Sequence, residues 1–202
     1  MFKKDYLYAA VVGLITAFFV RLLLINTQTL IVISGMVIPL WTLFIIFPAA
    51  EYIGYVIASK LFSHMLFLKQ LGRFGIVGLM NFSVDTGIAT SLRRAYDIDP
   101  ESRTMILVLL GATVVALINS YFWQRVWTFA EKAPPTSKEF LIFVVVTLIG
   151  LGINTGVALV VIQLLAGNAG LNADRLVTIS KIFATIVSLV WNFFGYKFIV
   201  FG

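Results

Sequence analysis

The stretch Met105–Phe129, MILVLLGATVVALINSYFWQRVWTF, carries one charged residue, Arg125, near its far end. A bilayer's hydrocarbon core is about 30 Å thick, and a helix needs about 20 apolar residues to cross it. This run reaches that length without the strict apolar–polar alternation of a barrel strand. It reads as a membrane-spanning helix.

The rest of the chain repeats the pattern. Of 202 residues, 60% are hydrophobic and 12% charged, with a mean hydropathy of +1.01. A soluble domain carries about 25% charged residues. So apolar a chain cannot hide its side chains in one soluble core, so lipid must solvate them. In lipid only helices and closed barrels satisfy their own backbone groups. The expected fold is all-α and polytopic, with about six spans: Tyr6–Leu24, Leu30–Ala50, Phe74–Leu92, Met105–Phe129, Phe140–Leu165 and Val177–Phe201. The first has the basic start of a signal peptide in Lys3 and Lys4, but it is too long and lacks a small-residue cleavage site, so it is expected to be retained. Pro39 and Pro48 suggest a kinked second span, with Glu51 an interfacial acid after it. A polar loop, Ala95–Arg103, follows the third span, and a second loop, Ala166–Asp174, precedes the sixth.

Six spans place both termini on one side. That side receives Lys3, Lys4, Lys60, Lys69, Arg73, Arg125, Lys132, Lys138 and Lys197; the other receives Arg21, Arg93, Arg94, Arg103 and Arg175. The side richer in Lys and Arg is expected to be cytoplasmic, so both termini are expected there, in a cytoplasmic (inner) membrane. The net charge of +6 is then accounted for by loop anchors and anionic headgroups, and no nucleic-acid partner is expected.

Several chemistries drop out. With no cysteine, disulfides and thiolate zinc sites are excluded. The one histidine, His64, has no obvious partner for a catalytic triad. No metal cluster, activated nucleophile or phosphate loop stands out, and Asp97, Asp99 and Glu101 read as a solvated turn rather than a cation site. No catalysis, metal or cofactor is expected.

An internal repeat organises the C-terminal part. FGIVGLMNFSVDTGI (Phe74–Ile88) lies over FVVVTLIGLGINTGV (Phe143–Val157), so that Asp85-Thr86-Gly87 falls on Asn154-Thr155-Gly156. SYFWQRVWTF (Ser120–Phe129) lies over NFFGYKFIVF (Asn192–Phe201), so that Arg125 falls on Lys197. Each half is one helical hairpin with an aromatic–basic–aromatic tail, and two hairpins entering from the same side make parallel repeats.

These residues resemble the GtrA-like family. The resemblance rests on the FxxVG-type opening at Phe74–Gly78, the Asn and Asp positions after it, and the RVWTF tail at Arg125–Phe129 with its partner at Tyr196–Phe201. It covers about Leu71 to Gly202. It implies a four-span domain over 71–202, with repeats 71–129 and 139–202, preceded by a two-span extension over 1–70. It also implies a role in cell-surface polysaccharide synthesis: a flippase or translocation factor for polyprenyl-phosphate-linked sugars, beside a membrane glycosyltransferase. A homodimer is plausible on size, because four small spans enclose little space.

A sugar phosphate cannot cross hydrocarbon bare, since each unpaired polar group costs several kcal/mol. A path therefore needs polar faces and a cation for the phosphate. Lys181, Thr185, Ser188 and Asn192 share one helix face, as do Gly78, Asn81 and Asp85, and Thr147, Gly150 and Asn154. These faces admit two readings, a substrate path or tight helix packing, and Gly152 with Gly156 fits packing alone. Asp85, in mid-span, must be neutral, paired or hydrated, with Lys181 as one candidate partner. Arg125 and Lys197 are either interfacial anchors or a phosphate clamp. The substrate-binding candidates are Arg125, Lys197, Asp85, Asn81, Asn154, Lys181 and Asn192. Two rival functions stay open: a non-transporting partner of a glycosyltransferase, and a small proton-coupled exporter using Asp85.

Overall fold

The computed structural model describes residues 2–33, 36–61, 65–165 and 173–202. His64 and residues 166–172 of the expected loop lie outside the described residues. Among the described residues six long helices carry the fold: α1 (Phe2–Asn26), α2 (Leu43–Leu61, led in by a 3₁₀ turn at Leu40–Thr42), α3 (Leu66–Ala95), α4 (Arg103–Trp123), α5 (Ser137–Leu165) and α6 (Ala173–Gly195). Five of them are long and apolar enough to cross a membrane. The sixth, α3, has 30 residues, about 45 Å at 1.5 Å per residue. Its charges gather at its ends, with Lys69 and Arg73 in the first turns and Arg93 and Arg94 in the last; between Phe74 and Leu92 only Asp85 is charged. The chain is an all-α, multi-pass membrane protein.

The second span departs from expectation. Residues Ile31–Ile33 (β1) and Met36–Ile38 (β2) form a small antiparallel hairpin, Ile31 opposite Ile38. The helix enters only at Leu40, after an extended Pro39. The run LIVISGMVI is as apolar as a span, but its β-branched residues pack well on a pleated strand pair, and Pro39 cannot continue a strand ladder. The span is Leu40–Leu61. Glu51 consequently sits inside α2 rather than at its end, and is 6% exposed.

The chain forms two compact units, Met1–Glu131 and Lys132–Gly202. In the first, α1 packs against α2 and α3, and α3 against α4. Its core joins Ala9 and Val12 of α1, Tyr55 of α2, Val77, Met80 and Val84 of α3, and Ala116, Trp123 and Trp127. Glycine lets the helices meet closely: a Cβ on Gly13 would lie 2.5 Å from the Pro48 Cα, and one on Gly87 2.8 Å from the Phe19 ring. Arg94 donates to the Ile25 and Asn26 carbonyls at 3.3 and 2.7 Å, closing the open C-terminal end of α1. That is a structural task for a residue that the sequence counts only among the loop anchors.

The second unit pairs α5 with α6. Phe143 stacks on Tyr196 at 4.4 Å, and the Trp191 Nε1–H donates to the Val146 carbonyl at 3.0 Å. The outer faces are apolar and bare, Leu107 and Leu148 among them, as lipid-facing surfaces must be.

Candidate functional site

Each hairpin carries a polar seam inside its spans. Between α3 and α4, the Thr113 hydroxyl donates to Asp85 Oδ1 at 3.1 Å, and the Asn119 amide to Asn81 Oδ1 at 3.5 Å. Between α5 and α6, Asn154 Nδ2 donates to the Ser188 hydroxyl at 3.2 Å, and the Thr147 and Tyr196 hydroxyls lie 2.8 Å apart. Asp85 and Asn154 are equivalent in the repeat. Each meets a hydroxyl on the helix it pairs with, so the side chain sits in hydrocarbon with a partner.

The remaining path candidates take different places. Asn192 presses its side chain against Gly150, where a Cβ would overlap the Asn192 amide, and its Oδ1 is buried with no hydrogen-bond partner among the described residues. Lys181 is exposed and lines a shallow groove on α6 with Thr178 and Thr185. A Cβ on Gly152 or Gly156 would meet nothing within 4 Å among the described residues.

The two tails share a local geometry. Gln124–Thr128 and Tyr196–Val200 each form one π-helical turn, closed by Phe129 N–H to the Gln124 carbonyl and Phe201 N–H to the Tyr196 carbonyl, both 2.9 Å. Arg125 and Lys197 occupy the second position of each. Single π turns in helices are rare and gather at functional sites. Arg125 is buried, at 8% exposure. The Lys197 ammonium lies over the Phe193 and Phe198 rings, 5.9 and 5.5 Å from their centres, within cation–π range.

A more enclosed arrangement lies in the first unit, around a residue that sequence reading counted only as a topology anchor. Arg73, two turns into α3, is 8% exposed. Its Nη1 donates to the Trp127 carbonyl at 3.0 Å, and its Nη2 to Asp5 Oδ2 and the Tyr55 hydroxyl, each at 3.0 Å. The guanidinium thus ties together α1, α2, α3 and the tail of α4. A pocket of about 330 Å³ opens beside it, lined by Asp5, Tyr55, Lys69, Gln70, Arg73 and Thr128 together with Leu66, Phe129 and Ala130.

Comparison with known proteins agrees with this architecture. Residues 73–201 match the family described as GtrA/DPMS, transmembrane domain. The chain belongs to this family. It is also 30% identical over 135 residues to an uncharacterized membrane protein of Bacillus subtilis (strain 168), YngA, covering 67% of this chain and 81% of that protein. No solved structure matches. The GtrA/DPMS match begins at Arg73 itself, so Asp5 and Tyr55 reach the first residue of the family domain from outside it.

Sequence reading missed Arg73, Asp5, Tyr55, Gln70 and Thr128 as a group. One signal was present: Asp5 is an acid in the first turn of an otherwise basic N-terminus. Glu51 was also misplaced. It is buried, and among the described residues neither carboxyl oxygen has a partner at hydrogen-bond geometry. Ending the second span at Ala50 hid it, whereas α2 runs on to Leu61. Among the described residues no acid or histidine group has metal-holding geometry, and Asp99 serves its own turn, accepting from the Glu101 N–H at 2.9 Å.

Proposed function

We propose that this protein moves polyprenyl-phosphate-linked sugars across the cytoplasmic membrane, as a flippase or translocation factor for cell-surface polysaccharide synthesis. The observation that carries the reading is the doubled seam: equivalent Asp85 and Asn154, each bonded to a hydroxyl on the neighbouring helix in mid-span. Such groups can exchange a protein hydroxyl for a sugar hydroxyl without passing through an unpaired state, which would cost several kcal/mol in lipid. The resemblance to the GtrA-like family supports the substrate class of this reading. In this reading the 71–202 region, with its two hairpin repeats, carries the path, and both termini face the cytoplasm. Arg125 and Lys197 receive phosphate at their paired π turns. Asn81 and Asp85 in the first hairpin, and Asn154, Lys181 and Asn192 in the second, are the sugar-binding residues of this reading. The protein does no covalent chemistry.

The test is transbilayer movement of a fluorescent polyprenyl-phosphate hexose in proteoliposomes. Wild type should move it, and Arg125→Ala and Asp85→Asn should slow it. Folded wild type that moves no lipid above empty liposomes, across several sugars, sinks the reading.

A second reading has its own observation. The open Gly152 and Gly156 positions on α5 leave a face that lets another helix approach closely. A membrane glycosyltransferase, or a second copy of the chain, fits such a face. Under this reading the protein is a non-transporting partner: Asp85→Asn leaves sugar-lipid movement in cells unchanged, while bulky replacements at Gly152 and Gly156 abolish co-purification of the enzyme. An exporter using Asp85 would instead lose proton-coupled efflux in Asp85→Asn.

A further inference from the structure

Glu51 is an acid placed where its charge has no support. It lies eleven residues into the 22-residue span Leu40–Leu61, close to the bilayer midplane at about 1.5 Å of rise per residue. Leu43, Glu51, Tyr55 and Ser59, the buried residues of α2, recur at multiples of four and so form one stripe. This helix packs on α1 and α3. The side-chain group beside the Glu51 carboxyl is the Thr16 hydroxyl of α1, itself 0% exposed. Its one proton goes to the Val12 carbonyl at 3.0 Å. Ser83, the buried hydroxyl of α3, likewise donates to its own helix, at the Leu79 carbonyl, 2.9 Å away.

Among the described residues Glu51 makes no ion pair. On α3, Arg73 is held by Asp5, Tyr55 and the Trp127 carbonyl, and Asp85 accepts from Thr113 of α4. Lys69 lies one turn before Arg73, and Arg93 and Arg94 close the far end of that helix. On α1, Lys3, Lys4 and Asp5 stand at the start, and Arg21 comes five residues past Thr16, turned about 140° around the helix. Lys60 is exposed in the last turn of α2. The tail of α4, which carries Arg125, reaches this stripe at Tyr55, through Trp127. Tyr6 packs its ring on Tyr52 and Tyr55.

A carboxylate here is a buried charge with neither donor nor counter-ion, and such a group takes up a proton instead. The protonated acid also fits what the site offers. Thr16 Oγ1, its own proton committed, keeps lone pairs that accept an O–H and has no proton to give a carboxylate. We infer that Glu51 is a proton-binding site: its carboxyl carries a proton while α1, α2 and α3 are packed as here, and loses it when the helices part enough to admit water. In that step the O–H bond breaks, the proton passes to water, and the carboxylate is left hydrated. The parting has a place. Pro48, three residues before Glu51, removes the backbone hydrogen bond to the Phe44 carbonyl. Gly13 brings the α1 backbone onto it, a Cβ there falling 2.5 Å from the Pro48 Cα. The α1–α2 contact next to Glu51 is therefore backbone on backbone, at a weakened point of α2. Glu51 lies outside residues 73–201, which match the family, so the proton site comes with the extension. That the proton drives sugar-lipid movement rests on the proposed function; that Glu51 binds a proton does not.

The experiment is infrared spectroscopy of the full-length protein in liposomes, independent of transport. A protonated carboxyl has a C=O stretch separate from the carboxylate bands, and it shifts in heavy water. Folding of every variant is checked by size exclusion and circular dichroism. At neutral pH wild type should show the acid band. Glu51→Gln should lose it and Asp85→Asn should retain it. Glu51→Asp, which keeps the acid one methylene shorter, should shift the band rather than abolish it. Thermal unfolding at the same pH should convert it to carboxylate, since water then reaches Glu51. The inference is overturned if folded wild type shows no acid band at neutral pH, or if the band is unchanged in both Glu51→Gln and Glu51→Asp. The coupling has its own readout, movement of a fluorescent polyprenyl-phosphate hexose in proteoliposomes. An imposed pH gradient should change the rate of wild type and have no effect on Glu51→Gln, which mimics the protonated acid. A wild-type rate indifferent to the gradient overturns the coupling. An acid band that follows Glu51 in a protein that moves no lipid keeps the proton site and sinks only the flippase reading.

Discussion

Arg73 Nη2 and Asp5 Oδ2 lie 3.0 Å apart, with side chains only 10% and 15% exposed, joining the first turn of α1 to the second turn of α3. The pair fixes the extension onto the family domain at the level where α4 ends. Removing one member leaves a mostly buried charge without its counter-ion, which is costlier than losing an exposed pair. Asp5→Ala should therefore lower the melting temperature of the purified protein, by the equivalent of about 1–3 kcal/mol. Asp5→Asn should lower it less, because the amide oxygen still accepts from Arg73. Thermal unfolding followed by tryptophan fluorescence checks both; an unchanged midpoint in Asp5→Ala would remove the pair from the account of stability.

The seam in the first hairpin gives a second expectation. Thr113 donates to Asp85 from the facing helix, and Thr→Val keeps the shape while deleting the donor. Hydrogen bonds between membrane helices average about 0.6 kcal/mol and reach about 1.7. Thr113→Val should thus be a folded protein with a slightly lower melting temperature. Under the proposed function it should be slower than wild type in the proteoliposome assay but faster than Asp85→Asn, since it removes a partner and not the carboxylate itself. The reverse order of rates would assign Asp85 a packing role.

The sequence displayed the spans because lipid demands apolar length, which hydropathy measures directly. It displayed the repeat as well: the tails aligned at Ser120 and Asn192 become π turns at equivalent positions, Gln124–Thr128 and Tyr196–Val200. It did not display the strand pair at Ile31–Ile38, because a β-branched apolar run scores like a span. Nor did it display the Arg73 pocket. Asp5 and Arg73 are 68 positions apart, and the Trp127 carbonyl that completes the cluster is a backbone atom with no letter in the sequence.

Two glycines on α5 separate close packing from open surface. A Cβ on Gly150 would collide with the Asn192 amide, while one on Gly156 meets nothing within 4 Å. Gly150→Ala should push α6 away or turn Asn192 out, at about 1–3 kcal/mol for overpacking. Gly156→Ala should be neutral or stabilising by up to roughly 1 kcal/mol, since alanine restricts the unfolded chain. Melting temperatures of the two variants decide it. If Gly156→Ala is the more damaging, that face is covered by a partner in the purified protein.

Glu51 gives the last expectation. It is 6% exposed on α2, and among the described residues neither oxygen has a partner at hydrogen-bond geometry, while the neighbouring Thr16 hydroxyl on α1 donates to its own helix at the Val12 carbonyl, 3.0 Å away. A buried polar group without a partner costs about 1–3 kcal/mol, and an apolar group of similar shape removes that cost. Glu51→Met should therefore melt higher than wild type, and Glu51→Gln close to it. An acid kept inside a membrane span against its own stability marks function by default. The same Glu51→Met protein should then move sugar lipid more slowly in proteoliposomes, whereas retained transport with a raised melting temperature would make Glu51 dispensable to the path. A lower melting temperature in Glu51→Met would show that the carboxyl has a stabilising partner in the membrane, and would turn attention to the face of α2 that carries it.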